Sequence, residues 1–180
     1  MPRRETGGPG RGPRSSAARP GPNATERALR LLGSRALTLR QLEQALLRKG
    51  VPRAELEAAL ARVKELGYID DAEVARGRAQ RRVGKGEAPR LVARRLRAQG
   101  VPAETARAAA EEAAAGASED ALAAQALRQK LRGRPPGGPR EKQRLARALI
   151  AKGHRPAAVA KALGLDETVE ALDDGIDEDR

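Results

Sequence analysis

The fold of this 180-residue chain is most constrained by one pattern that recurs three times along it. Gly50, Gly100 and Gly153 each follow a helical apolar pattern, at intervals of 50 and 53 residues. Apolar residues stand four and eight positions before each glycine, and again six and ten positions after it. Spacings of three and four residues are typical of amphipathic helices, and a fixed period of this length indicates small helical units stacked in tandem.

The clearest copy of the pattern lies between residues 38 and 71, with capping signals at both ends. Thr38 is expected to cap the first helix, with Gln41 as the reciprocal member of a capping box. Asp70 is expected to cap the helix that follows this copy, with Glu73 in the same reciprocal role. These residues predict where two of the helices begin.

Two glycines are expected to end the helices of this copy, and apolar stripes are expected to mark their buried faces. Gly50 ends the first helix and Gly67 the second, because glycine tolerates the left-handed conformation in which helices often stop. Tyr68 and Ile69 are then expected to fold back against the pair. The residues expected on the buried faces are Leu39, Leu42, Leu46 and Leu47 in the first helix and Leu56, Leu60, Val63 and Leu66 in the second.

The composition restricts how large a core such units can form. The chain has one Tyr and no Phe, Trp or Cys, and its 39% of hydrophobic residues is mostly Ala and Leu. Aromatic side chains normally bury the largest areas, so a core without them must be thin and helical. The absence of Cys excludes disulfides and thiolate metal sites and fits a reducing compartment. The predicted fold class is therefore all-α.

Charge and composition divide the chain into five segments. Residues 1–23 carry five Arg and one Glu among many Gly and Pro, and are expected to form a disordered basic arm. Three helical repeats are expected at residues 24–70, 71–117 and 118–165, with net charges of +3, +4 and +8. Residues 166–180, with eight acidic residues and one Arg, are expected to form an acidic tail. The basic body of the chain is expected to be attracted to polyanions.

Basic residues recur at helical spacing in the second and third repeats. The first row runs from Arg78 to Lys85 and lies opposite the apolar stripe that runs from Val74 to Val83. Three such rows on one stacked body would form a positive surface for phosphates or acidic side chains, although each row alone is also typical of a solvated outer face. Because no aromatic side chain is available to stack on bases, base recognition is not expected. The candidate partner-binding and DNA-binding residues are Arg78, Arg81, Arg82, Lys85, Arg90, Arg94, Arg97, Arg140, Arg144 and Arg147.

No group of residues in the sequence suggests a reaction site. His154 is the only histidine and has no acidic residue at ligand spacing, so it is interpreted as a surface or core residue. Asp70 and Asp71 stand at a predicted helix start, which favours capping over a catalytic carboxylate pair. The run Gly84-Lys85-Gly86 follows no strand and lacks the Ser or Thr of a phosphate loop, so it is interpreted as a helix end. No enzyme activity, cofactor or metal is expected.

The residues around the first repeat resemble the RecX family, small regulatory proteins that bind the RecA recombinase filament. The resemblance covers residues 24–165 and implies three tandem three-helix repeats in an elongated, curved, basic body. Family members usually have aromatic residues at the position of Val74 and near that of His154, and their absence here implies looser packing. The resemblance rests on Lys49-Gly50, Gly67-Tyr68-Ile69-Asp70-Asp71, Ala75, Gly84-Lys85-Gly86 and a helix ending at Gly100; Gly50, Gly67, Tyr68, Asp70 and Asp71 are interpreted as its structural signature.

The resemblance also implies a function. It implies a monomeric regulatory protein that lies in the groove of the RecA–DNA filament and contacts DNA through the filament, or directly and weakly. Such a protein would inhibit the recombinase, ATPase and co-protease activities of RecA and so modulate DNA repair and the SOS response. No apolar run is long enough to span a bilayer and no secretory signal is recognised, so no membrane association and a cytoplasmic location are expected.

Two other functions remain open at this point. Residues 38–69 also match the helix-turn-helix core of a winged-helix transcriptional repressor, which would require two short strands after Ile69. The capping signal at Asp70 and the helical stripe that follows it argue against those strands. A general helical DNA-binding protein or an RNA chaperone is the other alternative, and it would bind naked nucleic acid as tightly as a filament.

Overall fold

The computed structural model of the chain describes residues 23–165. That part of the chain contains nine α-helices and no strand, so the all-α prediction is confirmed. Except for Asn23, the predicted basic arm and acidic tail lie outside the described residues. The helices are α1 (Ala24–Ser34), α2 (Leu39–Arg48), α3 (Arg53–Glu65), α4 (Asp71–Gly84), α5 (Pro89–Ala98), α6 (Ala103–Ala113), α7 (Glu119–Leu131), α8 (Pro139–Ala151) and α9 (Pro156–Leu163).

The helices pack in three successive groups of three, here called repeat 1 (α1–α3), repeat 2 (α4–α6) and repeat 3 (α7–α9). Each group has its own core of buried side chains. Leucine and valine dominate the cores of repeats 1 and 3, whereas five of the eight buried residues in the core of repeat 2 are alanines. Small side chains let helices approach closely but bury little apolar area each, so repeat 2 has the thinnest core of the three.

The capping residues act as the sequence predicts, with one exception. The Thr38 hydroxyl accepts from the Gln41 amide at 3.2 Å, and Gln41 Oε1 accepts from the Thr38 amide at 3.4 Å, which completes the predicted capping box. Asp70 accepts from the amides of Ala72 and Glu73 at 2.8 and 2.9 Å. The reciprocal role predicted for Glu73 is wrong, because its carboxylate instead pairs with Arg76 at 2.7 Å. The Arg76 ion pair satisfies the carboxylate without bending it back over the helix start.

The buried faces of repeat 1 are narrower than the sequence predicts. Leu42, Leu46, Leu56 and Val63 are buried as expected, and Leu60 and Ile69 pack against the same core. Three further predictions are wrong, because Leu47 is 36% exposed, Leu66 44% and Tyr68 58%. Gly67, with φ +70°, reverses the chain after α3, and Ile69 fills the position at the core in place of Tyr68.

No strand follows Ile69 in the described chain, because α4 begins at Asp71 and continues to Gly84. A winged helix requires a strand pair at that point of the chain. The winged-helix alternative is therefore wrong.

Adjacent repeats are joined at two of the three recurring glycines. A Cβ atom added to Gly100 would lie 2.5 Å from Arg40 Cβ in repeat 1, and one added to Gly153 would lie 2.6 Å from Leu91 Cβ in repeat 2. Both glycines have φ near +90°. Gly50, between α2 and α3 of repeat 1, also has a positive φ but has no such neighbour within 4 Å. The recurring glycine therefore ends a helix in every repeat and also permits close packing at the two junctions.

The two junctions also use matching hydrogen bonds. At the first, the Thr38 hydroxyl donates to the carbonyl of Gln99 at 2.7 Å. At the second, the Ala88 amide donates to the carbonyl of Lys152 at 2.9 Å. Thr38 and Ala88 each stand just before the middle helix of their repeat. Gln99 and Lys152 each stand just before the junction glycine of the next repeat. The two junctions therefore join equivalent positions, with a side-chain hydroxyl as donor at the first and a backbone amide at the second.

Candidate polyanion interface

The basic residues of α4 line an open cleft where repeats 1 and 2 meet. Helix α4 turns Ala75 and Ala79 into the core of repeat 2, and Arg78, Arg81 and Arg82 line the side of the helix toward repeat 1 and the solvent. Together with Lys85, the residue that caps the end of this helix, these predicted basic residues share one cleft of about 420 Å³. Its lining residues are Gln41, Arg78, Arg81, Arg82, Lys85, Glu87 and Gln99.

Arg78 holds the two repeats together in addition to contributing charge. Its guanidinium donates to Gln99 Oε1 at 2.5 Å, and to the Ala36 carbonyl and Gln41 Oε1 at 2.9 Å each. All three acceptors are neutral oxygens, so no carboxylate neutralises the charge directly. Burial lowers the pKa of Arg78, and the nearby positive charges of Arg81 and Arg82 lower it further. This guanidinium is therefore a cation fixed in place within a positive environment.

One carboxylate borders the cleft, and the sequence pattern did not indicate its role. Glu87 accepts from Arg82 at 3.1 Å and from Arg95 at 3.2 Å, and its side chain is only 15% exposed. Arg82 is thus partly neutralised. Arg81 and Lys85 are exposed, and within residues 23–165 neither forms an ion pair. The only signal for Glu87 in the sequence is its position directly after Gly84-Lys85-Gly86, where α4 ends.

Arg90 has a structural contact at the second junction. Its guanidinium donates to the carbonyls of Gly153 and His154, which tie α5 to the end of α8. His154 is 1% exposed, and its Nε2 lies 3.0 Å from the Gly86 carbonyl. Burial lowers the pKa of His154. The histidine is a core residue of this junction, which agrees with one of the two interpretations of the sequence.

The other candidate residues lie on exposed faces of α5 and α8. Arg144 is close to Glu141, at 3.6 Å, with its side chain 76% exposed. The carboxylate of Glu141 is also bound by Arg134 and by the Gly137 amide, and both contacts lower its pKa. The remaining candidates on α5 and α8 form no ion pair with another described residue; they are Arg94, Arg97, Arg140 and Arg147. The structure therefore brings together the α4 set, and it places these residues outside that cleft.

The arrangement favours binding of an anion over chemistry. Guanidinium and ammonium groups with neutral amides provide donors for phosphate or carboxylate oxygens, and the one lining carboxylate, Glu87, is already bound by Arg82 and Arg95. The described part of the chain contains no group of three His, Cys, Asp or Glu residues placed to hold a metal ion. None of the helices in residues 23–165 combines the length and apolar character needed to cross a membrane.

Comparisons with known proteins agree with this fold. The family model described as "RecX, first three-helix domain" matches residues 24–62. The regulatory protein RecX of Thermobifida fusca is 40% identical over 141 residues, which cover 75% of this chain and 76% of that protein. The regulatory protein RecX of Mycolicibacterium vanbaalenii is 36% identical over 134 residues, which cover 72% of each chain.

Solved structures of the same family share the architecture at low sequence identity. A crystal structure of regulatory protein RecX matches 78% of this chain and 70% of its own, with a TM-score of 0.58 and 20% identity. The structure of RecX from Lactobacillus salivarius matches 78% of this chain and 92% of its own, with a TM-score of 0.57 and 14% identity. Together with the identity to the Thermobifida and Mycolicibacterium proteins, this shows that the chain belongs to the RecX family of regulatory proteins.

Proposed function

We propose that this protein binds the RecA–DNA filament and inhibits the recombinase, ATPase and co-protease activities of RecA. In this proposal it acts in the cytoplasm as a monomer, without a cofactor, and modulates DNA repair and the SOS response. The observation that carries the proposal is a row of repeats joined in the same way, with uncompensated cations at the first junction and on the exposed faces of repeats 2 and 3. Membership of the RecX family supports a regulatory role.

The charge distribution is suited to an extended partner. Arg94 and Arg97 on α5 and Arg140 and Arg147 on α8 are exposed and available to a partner. An individual exposed ion pair contributes only about 0–1 kcal/mol, so affinity must come from many contacts along a long surface. A helical nucleoprotein filament offers DNA phosphates and acidic side chains repeatedly along one groove. Occupancy of that groove would brace the filament and hinder growth, strand exchange and access of substrates.

The repeat architecture gives such contacts a regular spacing. In a repeat protein each unit contacts mainly its neighbours, so equivalent surfaces recur at a constant step. Both junctions here use a glycine and a carbonyl at the same position, which fixes that step twice. Repeats 2 and 3 would then present their arginines to successive positions along the filament.

Co-sedimentation with RecA filaments on single-stranded DNA tests the proposal, together with RecA-dependent ATP hydrolysis. The wild-type protein is expected to sediment with filaments and to lower ATP turnover. Arg94→Glu combined with Arg97→Glu should weaken both effects, and Arg53→Ala combined with Lys64→Ala, on the exposed face of α3, is the control. Absence of co-sedimentation at low salt would refute the proposal. Equal affinity for filaments and for naked DNA would favour a general DNA-binding protein instead.

A further inference from the structure

A second cleft continues the α4 cleft at the junction of repeats 1 and 2. The first has a volume of about 420 Å³ and the second about 310 Å³. Gln41 and Arg78 line both, so the two clefts form one continuous depression. The second cleft adds Arg35, from the segment after α1, and Arg48, at the end of α2. We call the combined surface the junction trough, whose main polar residues are Arg35, Gln41, Arg48, Arg78, Arg81 and Lys85.

The junction trough carries several positive charges with little neutralisation. Arg35, Arg48, Arg81 and Lys85 are exposed, and none of them forms an ion pair with another described residue. Arg78 is bound only to neutral oxygens. The one lining carboxylate, described above, is already engaged by two arginines. A depression lined mainly by charges of one sign favours binding of a counterion.

The lining indicates which kind of anion fits. Protein partners usually anchor in a pocket through buried aromatic or large aliphatic side chains. The trough offers no exposed aromatic or large aliphatic side chain, since Leu37 in its wall is only 6% exposed. Its other lining residues provide glutamine amides, cationic side chains, the small Ala36 and the carboxylate of Glu87, which two arginines already bind. A ligand that is continuously charged, long and without a required apolar anchor matches this surface better than a folded acidic protein does.

We infer that the junction trough binds the sugar-phosphate backbone of a nucleic-acid strand, without reading its bases. From Arg78 to Lys85, α4 advances about 10 Å, which is about three nucleotides at about 3.4 Å per step. The α2 side of the trough extends the contact toward Arg48. Phosphate contacts of this kind position a protein on DNA but carry no sequence information. The inference deepens the proposed function and rests on it for the presence of DNA, but its test needs no RecA.

Arg78 gives the trough its fixed geometry. Its hydrogen bonds hold Gln41 of α2 and Gln99 at the end of α5, so the helices that carry the cations of repeats 1 and 2 are held together. A prearranged set of cations loses less side-chain freedom when it binds an anion. Arg81 and Lys85 have no such structural contact, so they can be replaced without breaking the junction. They are therefore the residues to vary.

The experiment measures binding of the full-length protein to fluorescent single-stranded and duplex oligonucleotides of several sequences, from about 50 to about 200 mM salt. Each lost phosphate contact lowers the slope of log affinity against log salt by about 0.9 for duplex and about 0.7 for single strands. Arg81→Ala combined with Lys85→Ala should therefore reduce the slope by about 1.8 and about 1.4, equally for every sequence. Arg35→Ala combined with Arg48→Ala should do the same from the α2 side.

The control is Arg53→Ala combined with Lys64→Ala, which removes the same two residue types from the exposed face of α3. Its salt slope should equal that of the wild type, and far-UV circular dichroism should show all variants folded. An unchanged slope in both trough variants, or an equal loss in the control, would overturn the inference. So would a trough variant that loses binding to poly-glutamate but keeps binding to DNA. Failure of the proposed function would appear separately, as absent co-sedimentation with RecA filaments.

Discussion

Gly153→Ala is expected to destabilise the second junction, and Gly50→Ala in the first repeat provides the reference for the size of this effect. Gly153 has φ +90°, and holding alanine in the left-handed region costs about 1–2 kcal/mol. The added methyl group would also lie 2.6 Å from Leu91 Cβ, which forces α5 and the end of α8 apart. Overpacking of this kind costs about 1–3 kcal/mol, so the total destabilisation should be about 2–5 kcal/mol.

Gly50→Ala is the matched control for this change. Gly50 has φ +75° but no neighbour within 4 Å of an added Cβ, so only the backbone cost of about 1–2 kcal/mol applies. Both variants reduce the freedom of the unfolded chain equally, so that contribution cancels in the comparison. The difference between them, about 1–3 kcal/mol, measures the close contact between repeats 2 and 3.

Urea unfolding followed by far-UV circular dichroism measures these free energies, since the chain has a single Tyr and no Trp. Hydrogen exchange at the Ala88 amide reports on the junction directly, because that amide donates to the Lys152 carbonyl. Gly153→Ala should speed this exchange, and Gly50→Ala should leave it nearly unchanged. Equal destabilisation by the two substitutions, with equal exchange at Ala88, would refute the reasoning about the junction.

Three further predictions concern single side chains. Burial lowers the pKa of His154 below its ordinary value of 6.5, so the stability of the fold should be full above about pH 6.5 and fall at lower pH. In His154→Gln the urea midpoint should depend less on pH between about pH 7.5 and 5.5 than it does in the wild type. Thr38→Val removes a helix cap and the junction bond to Gln99, so urea unfolding should show a loss of about 2–4 kcal/mol, whereas Thr38→Ser should retain most of the stability. Tyr68→Ser should change the urea midpoint little, because Tyr68 is 58% exposed, and a large loss would show that this side chain is buried.

The helices were predictable because their signals are local. Thr38 with Gln41 and the glycine at position 50 lie within one or two turns of the structure they determine, and so does the cap at Asp70. Apolar spacing also identified the buried leucines at positions 42 and 46. Leu47 and Leu66 were predicted to be buried but are exposed, because a three-helix unit buries only a narrow stripe of each helix.

The roles of individual arginines were not predictable, because their contacts are distant in sequence. Arg78 binds the carbonyl of Ala36, 42 residues away, and Arg90 binds that of Gly153, 63 residues away. In the sequence both belong to rows that look like uniform outer faces. Only the packing of one repeat on the next separates the arginines that join repeats from those that remain available to a partner.

The attachments at Gly100 and Gly153 use equivalent positions, so each repeat follows the one before it in a similar way. Repeat 3 presents to repeat 2 the same glycine and preceding carbonyl that repeat 2 presents to repeat 1. In each case the later repeat docks at the start of the middle helix of the repeat before it. The length of this molecule, and with it the reach of its arginines, is set by how many modules are connected in series.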